Sequence, residues 1–83
     1  MGLVNTFSHF CDIYFYMHKF AGRLKELRLE KGLTQAQLSK KIGLSHTALV
    51  YWETEQRVPN ARAIIILSRF FDVSAGYLLG EED

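Results

Sequence analysis

The chain has a single cysteine, Cys11, so no intrachain disulfide can form, and no Cys/His spacing along it fits a zinc site. That usage suits a reducing compartment, and the expectation is a cytoplasmic protein with no metal and no other cofactor. Long apolar runs are missing too. Residues 3–20 are apolar and aromatic, but Asn5, His9, Asp12, His18 and Lys19 interrupt them, which argues against a membrane span. They carry no basic leader region and no small-residue cleavage site, so a signal peptide fits badly as well. No stretch of convincing length alternates polar and apolar residues as a strand would. There is no phosphate-cradling glycine loop, no HExxH and no plausible nucleophile–base pair. No catalytic residue is therefore assigned, and an enzyme is the least expected class.

What is present is enough for one domain. Eighty-three residues can fold alone around a modest core. Hydrophobic residues make up 48% and recur throughout the chain, which argues against disorder. The net charge of +1 conceals an asymmetry. All ten Lys and Arg lie between Lys19 and Arg69, against four acids there (Glu26, Glu30, Glu53, Glu55), so that segment carries +6. The remaining acids, Asp12, Asp72, Glu81, Glu82 and Asp83, give the rest −5. A basic middle with an acidic tail is what a compact anion-binding domain would show.

From residue 20 onward the pattern is five short helices with their punctuation. Phe20, Leu24 and Leu27 form one apolar face of a helix running to about Lys31, and Gly32 stops it. Thr34 is a good N-cap for a second helix, Gln35 to about Ile42, with Leu38 and Ile42 inward. Gly43 sits where a left-handed residue must turn the chain sharply. Ser45 caps a third helix with Ala48, Leu49 and Trp52 inward. After a loop at 54–59, Asn60 caps a fourth with Ile64, Leu67 and Phe71 inward. Ser74 caps a last short helix carrying Leu78, and Gly80 closes the fold. Only Gly43, Leu44 and Ser45 join the second helix to the third, too few for an antiparallel pair; so short a turn suits a steep crossing.

The stretch "GLTQAQLSKKIGLSHTALVYWETEQRVPN", with "RLKELRLEKGLTQ" before it and "DVSAGYLLG" after it, resembles the lambda repressor/Cro-type, or Xre, helix-turn-helix family. The resemblance covers about residues 20–80 and includes Gly43, the pair Trp52–Glu53 and Pro59. It implies an all-α, five-helix DNA-binding domain flanked by an N-terminal extension, 1–19, and an acidic tail, 81–83. By the same resemblance Ser45, His46, Thr47, Val50 and Tyr51 would face base edges, and Gln35, Gln56 and Arg57 would meet phosphates. Lys40 is expected at phosphate as one of the basic residues of the positive segment. Arg28 and Glu53 correspond to an ion pair that the family buries between the first and third helices. Plainer readings stand beside these: Gln35 as a solvated helix start, His46 as an exposed ring without a role, Tyr51 as partial core, Lys40, Lys41, Arg57 and Arg62 as solvated charges.

The sequence departs from the family pattern in places. Ser39 replaces the usual alanine of the second helix, and stays small. Thr54–Glu55 replaces an Asn-Gly pair that supplies positive φ, which leaves the loop conformation open and puts an acid near the expected phosphate path. On the fourth helix, Ile66 and Phe70 form with Ala63 a second apolar stripe, either scattered surface residues or a contact surface for a second subunit or the N-terminal segment. Phe7, Phe10, Tyr14, Met17, Ala21 and Leu24 repeat at roughly heptad spacing and can extend the first helix backward. Alternatively Met17 is the start and 1–16 come from an upstream codon. The expected function is sequence-specific transcriptional regulation, with repression foremost, by a homodimer on double-stranded DNA with a pseudo-palindromic operator. The rival is a protein-interaction module or antitoxin-like partner that kept the fold and lost or reduced DNA binding.

Overall fold

Each helix in the computed structural model is followed within two residues by one with positive φ. The structure describes the backbone of residues 2–83 and the side chains of residues 13–83. The helices are α1 (Gly2–Glu30), α2 (Gln35–Ile42), α3 (His46–Glu53), α4 (Ala61–Phe71) and α5 (Ala75–Leu78), with no strand among the described residues. Gly32, Gly43, Glu55, Asp72 and Gly80 follow them in turn, with φ of 69°, 71°, 62°, 55° and 83°. A left-handed residue lets the chain reverse while its N–H groups satisfy the last carbonyls of the helix. After α3, for instance, the N–H of Glu55 donates to Trp52 O and that of Gln56 to Tyr51 O. Three of the five are the glycines read as stops from the sequence. Glu55 and Asp72 take the same conformation with a side chain attached.

The starts are as regular as the ends. Thr34, Ser45, Asn60 and Ser74 are the N-caps of α2, α3, α4 and α5, each accepting a hydrogen bond from the backbone N–H three residues on. At Thr34 the bond is reciprocated, because Gln37 reaches back to the Thr34 N–H. Each such cap stabilises its helix by about 1 kcal/mol. For helices of eight residues or fewer, well below the length that is stable alone, caps and packing must supply the stability.

Phe20, Leu24, Leu38, Leu49, Leu67 and Leu78 are sealed from solvent, one or two from each helix. Trp52 meets the Phe20 ring edge-on at 6.1 Å between centroids, joining α3 to α1. The expected inward set is buried, apart from Ala48, Leu27 and Ile42, which are half-buried against it. On α4 the expected stripe loses one member to the core. Ala63 is 2% exposed and belongs to the core, while Ile66 and Phe70 are half-buried. Phe70 packs edge-on to Phe71 and lies beneath Lys31 Nζ at 5.1 Å. The exposed large hydrophobic residue of α4 is Ile65. The reason is that α4 packs against both α2 and α5, so its apolar arc is wider than one stripe.

The aromatic heptad pattern meets a similar limit. Phe7 and Phe10 lie outside the residues whose side chains are described. Tyr14 is exposed and Met17 half-buried, but Ala21 and Leu24 are buried in the domain's own core. The C-terminal half of that seam is therefore spent within the chain. At the other end, Glu82 folds back: its carboxylate accepts from Ser74 Oγ, and its backbone carbonyl accepts from Arg23. Arg23 also donates to Tyr77 O and stacks on the Tyr77 ring. Among the described residues no helix is long and apolar enough to cross a membrane.

Candidate nucleic-acid interface

The second and third helices are joined as their sequence requires. Gly43 closes α2 through its N–H to Ser39 O, Leu44 follows half-buried, and Ser45 opens α3 by accepting from the Ala48 N–H. With Leu49 and Trp52 buried, the first turn of α3 is left outward: Ser45, His46 and Thr47 are all exposed. Val50 and Tyr51, a turn further on, are half-buried. These five are the residues expected at base edges. Four lie within the helix and the fifth is its cap, so α3 carries them as one rigid row.

Glu53 fixes the far end of that helix. Its carboxylate accepts from Arg28 Nε at 2.7 Å and from Arg28 Nη2 at 2.9 Å, a two-pronged pair. Arg28 Nη1 donates to Leu33 O at 2.8 Å, and Gln35 Nε2 donates to Glu53 Oε1 at 3.1 Å. The Glu53 carboxylate thus ties α3 to α1 and to the first residue of α2, and Arg28 adds the turn before α2. Arg28 is 7% exposed, so the pair is desolvated on both sides. The hydrogen bond to Glu53 holds the Arg28 guanidinium above the ordinary arginine range; burial opposes this and the Glu53 charge adds to it.

Gln35, expected at a phosphate, lies at the N-terminus of α2, where backbone N–H groups and the helix dipole favour an anion. Its side-chain amide is engaged by Glu53, a tie that the sequence reading missed. Eighteen positions separate the two residues, and no local spacing signals their meeting. Lys25, Arg28, Thr34, Gln35, Glu53 and Thr54 surround a surface hollow of about 420 Å³ here. Lys40 lies in the last turn of α2, exposed, and lines neither this hollow nor the one beside α3.

The loop after α3 is tightly tied. Thr54 Oγ1 donates to Val50 O at 2.7 Å, and the Gln56 N–H donates to Tyr51 O at 2.8 Å. The Gln56 amide, expected to approach phosphate, donates to Thr54 Oγ1 at 2.9 Å. Glu55, the acid that raised the question of repulsion, turns its carboxylate to His18 Nδ1 at 3.1 Å. Arg57 lies over the Tyr51 ring, 5.0 Å from its centroid. Ser45, Thr47, Tyr51 and Arg57 line a second hollow, about 310 Å³, floored by Ala48 and Trp52. Three candidate base readers and one candidate phosphate contact are therefore brought together. Ile66 and Phe70 are remote in kind: they lie on α4, and Phe70 borders a hollow shared with Lys31, Leu33 and Lys41.

This geometry has counterparts among known proteins. A family model described as helix-turn-helix matches residues 24–78. The chain is 38% identical over 64 residues to YobD, an uncharacterized HTH-type transcriptional regulator of Bacillus subtilis, covering 77% of this chain and 57% of that protein. It is 37% identical over 65 residues to the HTH-type transcriptional activator BcrR of Enterococcus faecalis, covering 78% of this chain and 32% of that one. The crystal structure of the restriction-modification controller protein C.AhdI from Aeromonas hydrophila superposes with a TM-score of 0.67 at 34% identity. That match covers 75% of this chain and 94% of the other.

Proposed function

The chain belongs to the helix-turn-helix family, and from that premise we propose that it is a sequence-specific DNA-binding transcriptional regulator. The observation that carries the reading is the row Ser45, His46, Thr47, Val50 and Tyr51 on α3, anchored from behind by the buried Arg28–Glu53 pair. A helix held this firmly can present side chains to the major groove without reorganising, and the N-terminal part of such a helix is the part that reaches base edges. The names of the relatives, regulators of transcription, agree with it.

The regulator acts as a homodimer on a pseudo-palindromic operator. One α3 enters each of two successive major grooves, with half-sites about 34 Å, or roughly 10 bp, apart. Where such an operator overlaps a promoter, occupancy occludes polymerase and represses. Its place of work is the cytoplasm, with the DNA it reads. The chain spans little more than half of YobD and a third of BcrR, so further activities of those proteins are not carried over.

The interaction-module reading drew support from the acid at Glu55. In the fold that carboxylate faces His18, which removes one of that reading's three supports; the others are the row on α3 without Lys or Arg and the aromatic N-terminal stretch. Selection from a pool of random duplexes tests the proposal: an enriched two-part motif with half-sites about 10 bp apart is expected. A pool that emerges unenriched at low salt would sink it.

A further inference from the structure

The row on α3 contains no Lys or Arg, yet arginine is the residue that most often reads a base pair in the major groove. The fold brings one to it. Arg57 lies six residues beyond Tyr51 in sequence, but the left-handed turn at Glu55 and the Gln56 N–H bond to Tyr51 O fold the loop back along α3. The Arg57 guanidinium rests on the Tyr51 ring at 5.0 Å and lines the same hollow as Ser45 and Thr47. Among the described residues no carboxylate lies within salt-bridge distance of Arg57; the neighbouring acid, Glu55, is turned to His18.

We propose that Arg57 is a base-reading residue whose ligand is a guanine edge, and that Tyr51 is the platform that aims it; the proposal rests on the DNA-binding reading above. The place of Arg57 beside the row on α3 favours guanine over phosphate. A guanidinium held over a ring by cation–π attraction keeps its coplanar N–H groups free to donate. That plane suits the two coplanar acceptors of guanine, O6 and N7, which an arginine meets with two parallel bonds. Phosphate too accepts two parallel bonds from an arginine; what favours the base is that Arg57 shares its hollow with Ser45 and Thr47, two of the candidate base readers. Stacking also removes side-chain freedom before binding, so less entropy is lost when the base pair is met. The recognition surface thus combines hydroxyls and an imidazole from α3 with a cation supplied by the next loop.

The test is selection from random duplexes with the wild-type chain and three variants, each checked by thermal melting. For Arg57→Ala the guanine preference at one position of each half-site is lost, on the order of 10- to 100-fold, while the other positions hold. Tyr51→Leu, which retains Arg57 but removes its platform, relaxes that same position; Tyr51→Phe, which keeps the ring, preserves it. An Arg57→Ala variant that selects the unchanged motif, with all sequences weakened alike and the salt slope reduced by about one, would make Arg57 a phosphate contact and overturn the proposal. A Tyr51→Leu chain that keeps the guanine preference lost in Arg57→Ala would overturn the platform. A wild-type chain that enriches no motif overturns the regulator reading itself, and this proposal with it.

Discussion

At Glu53, one carboxylate binds three groups donated from outside its own helix, and all of them go unpaired together when it is removed. Glu53→Ala leaves the Arg28 guanidinium buried without its partner, and the expected cost is about 3 kcal/mol, read as a lower midpoint in urea unfolding. A midpoint equal to wild type would contradict the assignment. The upward shift of Arg28 has a definite sign. Its stabilisation is complete below the ordinary arginine range and is lost only as pH rises through the raised value, so arginine deprotonation does not weaken the fold near neutrality. Glu55 is the opposite case, a residue kept in a conformation that its side chain disfavours. At φ 62° with an exposed carboxylate, it is expected to yield to glycine: Glu55→Gly should raise stability by roughly 1 kcal/mol, a gain of several degrees in melting temperature. Removing the Glu55 carboxylate also frees His18, but both groups are exposed and their pairing offsets little.

Among the elements, the short helices depend on their caps, and two of these separate stability from recognition. Ser45 and Asn60 make the same bond to the backbone three residues on, but Ser45 also stands at the head of the exposed row on α3. Ser45→Ala and Asn60→Ala are each expected to lower stability by about 1 kcal/mol in chemical denaturation. Ser45→Ala is expected to change the DNA sequence selected. Because Asn60 lines the same hollow as Ser45, the control that should leave the selected sequence unchanged is Ser74→Ala at the cap of α5, and a shifted preference there would count against α3 as the reader. The helix boundaries were legible because their causes are local. A Thr, Ser or Asn with a free N–H three residues ahead, and a glycine after the last turn, meet within one segment of chain. The stripe on α4 was not legible, because Ala63 and Phe70 are assigned to core or surface by which neighbours pack on α4, and a period of 3.6 does not contain that information.

For the whole molecule, the uneven charge becomes a prediction about salt. Ten cations between Lys19 and Arg69 against four acids give the domain a positive field that net charge alone hides. Affinity for duplex DNA should fall linearly on a log–log plot against salt, with a slope near −0.9 per phosphate neutralised. Lys40→Ala should weaken binding to all sequences alike and reduce that slope by about one unit, the share of a single phosphate, measured by fluorescence anisotropy across a salt series. A Lys40→Ala chain with an unaltered slope would remove Lys40 from the phosphate contacts.

By itself the sequence determined where α2 to α5 start, that Gly32 and Gly43 end α1 and α2, that Gly43 turns α2 into α3, and which side of α3 faces inward. These follow from bonds between residues a few positions apart and from apolar spacing within one helix, so no knowledge of the rest of the chain is needed. The resemblance then pointed to Arg28 and Glu53 as a pair. Only the tertiary structure decided that Gln35 shares Glu53 with Arg28, that Glu55 turns left-handed and faces His18, and that Arg57 lies on Tyr51. Such meetings join residues from different segments or hang on a loop conformation that no residue type specifies. They exist because the buried leucines, Phe20 and Trp52 fix how α1 and α3 cross, and that packing selects which distant side chains come within reach.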